Sequence, residues 1–367
     1  MTLGATQRGG WRRISAGRLL LLAACLLAPG TRAVHAGAGP VAPSAGPPSQ
    51  LDPALIASAL EQAAALPRLH ALIIARGGRT EVERRFRGPS LDTPVNVKSV
   101  SKSILSALVG IAIQERRLTG PQQRIEPFFR EYMGRGADPR LHRITVGDLL
   151  SMRSGLARTS GEGYGPWVAS KNWVAHILRS PLVADPGTTM VYSTGNSHLL
   201  SVLLTRATRS STYSYARSRL ARPLGVQLSP WGRDPQGVFI GGNQMSLSPR
   251  ALVRFGELYR NRGRHGERQI VPAAWVDESL TPRTRSMFSG EEYGYGWFLT
   301  AFAGHDAFYA WGYGGQFVFV VPSLSLTIVT TSVSEGPGDY EHLAALRGLV
   351  RDYIVPAAEA ADAHPRG

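Results

Sequence analysis

The chain has 367 residues, of which 43% are hydrophobic and 18% charged, and this composition is typical of a globular protein with a substantial core. Its formal net charge of +15 comes almost entirely from arginine, because only three of the 41 basic residues are lysines. The arginines are scattered and accompany no recognisable nucleic-acid-binding motif, so we expect no nucleic-acid partner.

The N-terminal residues have the pattern of an export signal. An arginine-bearing region ends at Arg18, nine apolar residues follow at 19–27, and small-residue cleavage sites such as residues 34–36 come next. Nine apolar residues are too few to span a bilayer. We therefore predict a signal peptide over residues 1–36 and an exported protein, either periplasmic or extracellular.

The chain has one cysteine, Cys25, inside this predicted leader. Its sequence LAAC resembles the lipobox of bacterial lipoproteins, and a lipid anchor at Cys25 is one interpretation. The apolar run continues through Leu26 and Leu27, which favours an incidental leader residue instead. With no second cysteine the chain can form no internal disulfide. Residues 37–50 are rich in Pro, Gly and Ala and are predicted to be a disordered linker.

Helix and strand patterns then follow in a definite order. Asp52 caps a predicted helix, and two predicted strands flank a tight turn at residues 77–78. Residues 115–285 carry mostly helical patterns, interrupted by loops with Pro and Gly. Strand patterns return late, with predicted starts at Tyr295, Phe317 and Leu326, before a last predicted helix near Tyr340.

Strands at both ends with helices between them indicate an α+β fold. We predict one antiparallel sheet built from both chain ends with flanking helices, and an inserted, mostly helical lobe. The predicted domain covers residues 51–355, with a sheet lobe of 51–114 and 286–355, a helical lobe of 115–285 and a tail at 356–367. A cleft between two such lobes is the expected place for a functional site.

Two of the three lysines flank one short stretch, KSVSK at residues 98–102. A lysine desolvated in a pocket can lose its proton near neutral pH, whereas an arginine stays charged. The apolar run at 104–113 predicts a helix buried on all sides, and the i, i+3 spacing brings the Lys102 amine near the Ser99 hydroxyl. The helix N-terminus favours an alkoxide on Ser99. The alternative is that Ser99 is a helix cap and Lys102 a surface charge.

Two later segments offer further candidate groups. Tyr192 lies where a Pro-Gly turn and a short β-prone run lead into an apolar helix from about Ser197. If Lys102 is close, its charge favours the phenolate and makes Tyr192 a candidate general base; the alternative is a half-buried core tyrosine. The glycine-rich residues 310–316 run directly into an apolar strand, where backbone N–H groups can form an oxyanion hole or a simple bulge.

Five segments carry a resemblance to a known superfamily. In chain order they are SVSKSILSALVGIAI, ITVGDLLSMRSGL, VYSTGNSHLL, IGGNQMSLSPRALVRFGELY and WGYGGQFVFVVP. Over about residues 51–355 the chain resembles class C β-lactamases, penicillin-binding D,D-peptidases and related esterases and aminohexanoate-oligomer hydrolases. The resemblance implies Ser99 as the nucleophile of Ser-x-x-Lys, Lys102 in proton transfer and Tyr192 as the Tyr of Tyr-x-Asn. It also implies Gly312 as the last glycine of the third motif, with an oxyanion hole from the N–H groups of Ser99 and Tyr313.

Two positions depart from the superfamily pattern. Thr194 replaces the Asn of Tyr-x-Asn, and Asn196 is an alternative substitute. Ala310 replaces the Lys or His of the third motif, so the cation that family members aim at a substrate carboxylate is absent there, and Trp311 offers an apolar wall. We therefore expect neutral substrates to be preferred, unless an arginine such as Arg158 supplies the charge.

Together these features predict a serine hydrolase that cleaves a small-molecule ester or amide through an acyl-enzyme. The chain has no HExxH motif and no Cys/His cluster, so no metal and no cofactor are expected. A cell-wall-derived substrate fits the predicted export. Two alternatives stay open: β-lactamase or D,D-peptidase activity, and a non-catalytic cell-wall binding protein that retains the fold. The sequence gives no indication of the oligomeric state.

Overall fold

The computed structural model describes residues 50–363. Their central element is an eight-stranded antiparallel sheet. The strands of these described residues are β1 (Leu69–Arg76), β2 (Arg79–Arg85), β3 (Val95–Asn96), β4 (Ser246–Leu247), β5 (Arg264–His265), β6 (Arg268–Gln269), β7 (Thr284–Arg285), β8 (Glu292–Tyr293), β9 (Phe298–Phe302), β10 (His305–Gly312), β11 (Gln316–Val321) and β12 (Leu326–Ser332). The predicted signal peptide, Cys25 and residues 37–49 of the predicted linker lie outside the described residues.

The sheet joins the two ends of the chain. Its strand order is β2-β1-β12-β11-β10-β9-β8-β7, and β1 pairs with β12 through partners such as Ile73 and Val329. Strands β3 and β4 form a separate pair, and so do β5 and β6. Because the first and last long strands are neighbours, the predicted α+β fold with a sheet from both chain ends is confirmed.

Helices cover both faces of this sheet and fill the segment between its strands. They are α1 (Pro53–Ala65), α2 (Val100–Gln114), α3 (Val146–Leu150), α4 (Tyr164–Val168), α5 (Trp173–Arg179), α6 (Thr194–Thr208), α7 (Thr212–Ala216), α8 (Pro249–Arg260), α9 (Ala273–Ser279), α10 (Tyr340–Leu349) and α11 (Val355–Ala363). Helices α3 to α9 fall within the segment 115–285 predicted as the inserted, mostly helical lobe, whereas α2 lies in the segment predicted as part of the sheet lobe.

The side chains of β11 point alternately into two separate hydrophobic cores, one on each face of the sheet. Val318 and Val320 pack with residues of α2, α6 and α8, whereas Phe317 and Phe319 pack with residues of α1, α10 and α11. Successive side chains of a strand point to opposite faces, so one strand supplies both cores. The site described below lies where β10 and the start of α2 meet.

Helix α2 is buried on all sides, as the largely apolar run at 104–113 predicts. Every residue from Val100 to Ala112 is buried, and the helix packs against α6, α9 and β10. Close packing needs a glycine at one point, because a Cβ at Gly110 would lie 2.2 Å from the Trp275 ring. A helix held this firmly gives the residue before it, Ser99, a fixed position.

Four predicted boundaries differ from the structure. Helix α6 begins at Thr194 rather than near Ser197, because the hydroxyls of loop residues 159–160 bind the first backbone N–H groups of this polar turn. Strand β9 begins at Phe298 rather than Tyr295. The glycine-rich residues 310–316 do lead into β11, but residues 310–312 end strand β10, which the sequence pattern did not predict, so the segment contains a hairpin turn. The boundary predicted at residue 355 falls at the start of α11, whose Ala357 and Ala358 are buried.

Candidate active site

The turn before α2 presents the Ser99 hydroxyl without using it as a helix cap. Lys98 has a left-handed backbone with φ of +49°, and its N–H donates to Asn96 Oδ1 at 2.9 Å. Such a conformation costs a non-glycine residue about 1 kcal/mol and persists where the surroundings impose it. Ser99 is partly exposed, and its side chain makes no capping hydrogen bond to the helix. Its hydroxyl is therefore free to face other partners.

Lys102 lies one turn further along α2 and is only 3% exposed. Its Nζ is 2.9 Å from Ser99 Oγ, 2.7 Å from the Gly242 carbonyl oxygen and 3.4 Å from Thr194 Oγ1. Burial lowers the pKa of this amine from 10.5 to about 7. A neutral amine has two N–H groups and one lone pair. The two N–H groups can donate to the Gly242 carbonyl and to Thr194 Oγ1, and the lone pair can then accept the hydrogen of the Ser99 hydroxyl. The alternative of a surface lysine does not fit this position.

Tyr192 lies over the same amine, with Lys102 Nζ 5.0 Å from the centre of its ring. Burial raises the pKa of Tyr192 to about 12, and a hydrogen bond with Ser99 and the charge of Arg158 offset part of this rise. This differs from the expectation that Lys102 favours the phenolate. Burial acts on both groups and favours the neutral amine and the neutral phenol, so Lys102 is the stronger candidate for a resting base.

Thr194 and Asn196 separate in the structure. Thr194 Oγ1 lies beside the Lys102 amine and also 2.9 Å from Ser160 Oγ. Asn196 is fully buried and faces away, where its Oδ1 accepts from Ser154 Oγ at 2.9 Å and its Nδ2 contacts the sulfur of Met152. The structure therefore brings Thr194 to the Lys102 amine, whereas the predicted substitute Asn196 belongs to the core.

Gly242 and Ser160 join the site although no sequence pattern assigned them a role. Gly242 has φ of +72°, and a Cβ there would lie 2.5 Å from Ser197 Cβ and 2.9 Å from Lys102 Cγ. Only glycine allows this approach, which lets the carbonyl oxygen reach the amine. Ser160 Oγ accepts a hydrogen bond from the backbone N–H of Thr194 at 2.8 Å. The glycine pair at 241–242 was the one signal available in the sequence.

On the strand side, Gly312 brings β10 against the chain that leads to Ser99. A Cβ at Gly312 would lie 2.2 Å from the Val97 carbonyl oxygen and 3.2 Å from Lys98 Cβ, so a side chain is excluded. Tyr313 follows, and its hydroxyl donates to the Gly336 carbonyl at 2.7 Å. Within residues 50–363 the backbone N–H groups of Ser99 and Tyr313 have no acceptor. They remain available as the predicted oxyanion-hole donors.

An aromatic wall continues from this strand. Trp311 stacks on Phe317 and contacts Phe298, with ring centres 6.2 and 5.8 Å away. Phe288, from the loop between β7 and β8, lies edge-on at 6.0 Å from Trp311 and 5.4 Å from Tyr192. It is 43% exposed, so one edge of this wall faces solvent next to Tyr192. These side chains form an apolar surface beside Tyr192.

The sequence profile of the family described as Beta-lactamase matches residues 68–352. The chain belongs to this β-lactamase family. Members of the family are serine hydrolases, and the fold and the Ser-x-x-Lys segment described above agree with that assignment. A comparison with curated protein sequences finds no significant match.

Several solved structures share the β-lactamase-family fold. A penicillin-binding protein homologue from Pyrococcus abyssi, octameric in its structure, has a TM-score of 0.64 and 18% identity, over 81% of this chain and 76% of that one. EstCE1, a hydrolase with promiscuous acyltransferase activity, has a TM-score of 0.66 and 17% identity, over 81% of this chain and 98% of that one. A D-stereospecific amidohydrolase from Streptomyces has a TM-score of 0.62 and 19% identity, over 80% of this chain and 97% of that one. At such identities the likeness concerns the fold alone.

The departure at Ala310 is clear in this β-lactamase-family site. Ala310 is fully buried and lies two residues before Gly312 on the same strand. Arg158 is exposed, and its guanidinium lies 5.6 Å from the Phe288 ring with no acidic partner among residues 50–363. These described residues also hold no cluster of His, Cys, Asp or Glu suited to a metal, and no helix long and apolar enough to span a membrane.

Proposed function

We propose that this β-lactamase-family protein hydrolyses an ester or amide through an acyl-enzyme on Ser99. The observation that carries the proposal is the Lys102 amine, buried, with a pKa lowered to about 7 and 2.9 Å from Ser99 Oγ. A base whose pKa lies near the working pH combines correct protonation with effective proton transfer. The two N–H groups of the neutral amine can donate to the Gly242 carbonyl and to Thr194 Oγ1, so its lone pair is available to the Ser99 hydroxyl.

In the first half of the reaction, Ser99 Oγ attacks the carbonyl carbon of the substrate while its proton passes to Lys102 Nζ. Negative charge develops on the carbonyl oxygen, and in this proposal the N–H groups of Ser99 and Tyr313 donate hydrogen bonds to it. The tetrahedral intermediate then expels the alcohol or amine, which takes up a proton, and the acyl group stays on Ser99 Oγ. In the second half, water attacks the carbonyl carbon of this ester and gives a proton to the Lys102 amine. The C–O bond to Ser99 then breaks, and the same proton passes to Ser99 Oγ, which releases the acid and restores the serine.

Tyr192 acts in this scheme as a proton carrier rather than as a resting phenolate. Its neutral phenol can donate to the leaving group and recover a proton from the Lys102 ammonium, whose nitrogen lies 5.0 Å from the ring centre. Thr194, which takes the place of an asparagine in the family motif, accepts one amine N–H at 3.4 Å. In this scheme the phenol and the amine work as a coupled pair.

Neutral esters and uncharged amides are the substrates that this site favours. A β-lactam or a peptide ending in D-alanine presents a carboxylate, and its desolvation is costly without a partner cation. Position 310 supplies none, and Trp311 and Phe288 offer an apolar wall. Structures of this fold include a hydrolase with acyltransferase activity and an amidohydrolase, which supports ester or amide chemistry here.

A second candidate activity, on carboxylate-bearing substrates such as β-lactams, is favoured by one observation. Arg158 lies beside the Phe288 ring without an acidic partner in the described part of the chain, and its charge acts on Tyr192. A guanidinium at the edge of the site can bind a substrate carboxylate. Relative activity on neutral and anionic substrates decides between the two candidates.

The decisive experiment labels the purified protein with a fluorophosphonate and screens p-nitrophenyl esters, short D-amino-acid amides and nitrocefin together. Ser99→Ala should abolish labelling and turnover with thermal stability nearly unchanged. Ser106→Ala, on the same helix two turns further on, is the matched control and should label normally. Labelling of a peptide that carries Ser101 or another serine would refute the assignment, and a protein without labelling or turnover would favour a non-catalytic binding role.

We also propose that the protein is exported, on the basis of the leader pattern at residues 1–36. Mass spectrometry of the N-terminus of protein from the native host tests this. A chain that begins near Val34 or Gly37 indicates a cleaved, soluble form, whereas a diacylated Cys25 establishes a lipid anchor. An uncleaved leader contradicts export.

A further inference from the structure

A buried histidine–carboxylate pair lies behind the site, outside the groups that the mechanism uses. His198 Nε2 is 2.9 Å from Asp234 Oδ2, and both side chains are fully buried. The rings of Trp167 and Trp173 contact the imidazole at centre distances of 5.7 and 5.3 Å. A pair of this kind in a dry core needs good hydrogen bonds to be tolerated.

The hydrogen bonds around this pair fix the tautomer of His198. Asp234 Oδ1 accepts the backbone N–H groups of Gln236 and Val238 at 2.9 and 2.8 Å, so Oδ2 is left for the imidazole. On the other side of the ring, the Gly241 N–H donates to His198 Nδ1 at 3.4 Å. Nδ1 therefore carries the lone pair and Nε2 carries the hydrogen that it donates to Asp234.

The segment held by His198 leads directly to the reacting lysine. Gly242 follows Gly241, and its carbonyl oxygen accepts from the Lys102 amine at 2.7 Å. The segment has no free space, because a Cβ at Gly241 would lie 2.0 Å from the Ser197 carbonyl oxygen. His198 is four residues after Thr194 on α6, so the second acceptor of the amine lies on the same helix face.

We propose, on the basis of the function proposed above, that His198 and Asp234 are positioning residues that hold Gly241 and Gly242 so that the Lys102 lone pair points at Ser99. A neutral amine has one lone pair, and its direction is set by the acceptors of the two N–H groups. If the Gly242 carbonyl turns away, the amine can rotate and the lone pair leaves the serine. Misplacement of a catalytic group by about 1 Å can lower a rate about 10²-fold.

Two near-isosteric replacements of His198 separate positioning from simple core stability. In His198→Gln the side-chain amide reaches the Nε2 position, where its NH₂ donates to Asp234, but no acceptor is left for the Gly241 N–H. In His198→Asn the amide oxygen occupies the Nδ1 position and keeps that acceptor, while the contact with Asp234 is lost. Steady-state kinetics on an active ester, the pH profile of kcat/KM and the melting temperature are measured for both.

The proposal expects His198→Gln to lose at least about tenfold in kcat with KM within about twofold of the parent. The acid limb of its pH profile should move to lower pH, because the lost carbonyl acceptor stabilised the ammonium form of Lys102. His198→Asn should keep more activity than His198→Gln even if it melts lower. Thr327→Val, which removes the buried hydroxyl that donates to Glu257 at 2.6 Å in another part of the core, is the control for stability loss alone.

Asp234→Asn provides an independent variant if His198→Gln does not fold. An asparagine must place its oxygen toward the N–H groups of Gln236 and Val238, so its NH₂ faces His198 Nε2 and forces the hydrogen onto Nδ1. The Gly241 N–H then loses its acceptor, and the same loss of kcat and the same shift of the acid limb are expected. Activity losses that follow melting temperature alone, with an unmoved acid limb, would overturn the proposal. Failure of Ser99→Ala to abolish turnover would instead overturn the proposed function.

Discussion

The site has a helical side, formed by α2 and the start of α6, and a strand side, formed by the end of β10. On the helical side the Lys102 amine has three hydrogen-bond partners within 3.4 Å. On the strand side the buried indole N–H of Trp311 has no partner in the described part of the chain. The helical side is a polar network centred on the Lys102 amine, which contacts Ser99, Thr194 and Gly242. The strand side is an aromatic surface with a small alanine where family members carry a cation. The proposed function therefore gives the two sides different tasks, proton transfer on the helical side and substrate selection on the strand side.

Mutations on the two sides should differ in how far their effects depend on one another. Members of a hydrogen-bond network depend on one another, so a single loss affects the whole network. Apolar contacts between rings are less directional, and one change alters mainly the affinity for part of the substrate. Mutations on the helical side should lower the rate for every substrate, while mutations on the strand side should change the ratio between substrates.

The largest effect is expected when Lys102 is replaced on the helical side. Lys102→Arg should lower kcat/KM about 10³-fold, nearly as much as Lys102→Ala, because a guanidinium cannot give up its proton. Stopped-flow or steady-state hydrolysis of an active ester measures this. Lys171→Arg, at an exposed lysine, is the matched control and should stay near the parent rate. A Lys102→Arg enzyme that keeps most of its activity would mean that charge alone is required.

Tyr192 should act as a unit with Lys102. Tyr192→Phe removes the proton carrier and should lower kcat about 10²-fold. The double variant Tyr192→Phe with Lys102→Ala should be no slower than about the slower single variant, because both belong to one proton-transfer path. Kinetic constants of the two single variants and the double variant measure the coupling. Losses that multiply would count against a coupled pair.

The pH dependence of kcat/KM should follow the Lys102 amine. Its pKa is lowered to about 7, and the neutral form is the base, so activity should fall about tenfold per pH unit below this value and level off above it. The pKa of Tyr192 is raised to about 12, so the phenol adds no step in the working range. The residual activity of Tyr192→Phe should keep the same acid limb. A limb that disappears in this variant would assign the base to Tyr192.

The contrast between the two sides also explains what the sequence allowed us to predict. Ser99 and Lys102 are three residues apart on one helix, so local geometry alone places their side chains together. The capped start of α1 at Asp52 and the hairpin of β1 and β2 are equally local, and both predictions are confirmed. Gly242 lies 140 residues from Lys102 along the chain, and only the folded chain brings its carbonyl to the amine.

Burial caused the other differences from the sequence predictions. Strand β10 is buried on both faces, with Phe308 and Ala310 in one core and Tyr309 in the other, so it shows no clear alternation of polar and apolar residues. The charge state of Tyr192 likewise depends on desolvation, which spacing does not reveal. Asn196 has the residue type expected beside the lysine, but helix α6 turns it toward Ser154 in the core.

The smallest expected effect concerns the strand side and restores its missing cation. A charge-assisted hydrogen bond contributes about 1.5 to 3 kcal/mol, so Ala310→Lys should raise kcat/KM for nitrocefin about ten- to hundredfold. Hydrolysis of p-nitrophenyl butyrate should stay nearly constant, because this ester has no carboxylate. The ratio of the two kcat/KM values is the measurement. Because Ala310 is fully buried, the melting temperature of the variant is measured as well, and Ala310→Ser serves as a control without charge.

Arg158 decides how the outcome for Ala310→Lys is interpreted. If this guanidinium already binds substrate carboxylates, the parent enzyme should hydrolyse nitrocefin efficiently and Ala310→Lys should bring little gain. Arg158→Gln would then lower nitrocefin turnover while butyrate hydrolysis stays constant, because the guanidinium lies beside Phe288 at the edge of the site and makes no ion pair within residues 50–363. If Arg158→Gln leaves the ratio unchanged and Ala310→Lys raises it, the aromatic wall selects neutral substrates. Efficient nitrocefin hydrolysis that neither variant changes would contradict this assignment of the strand side.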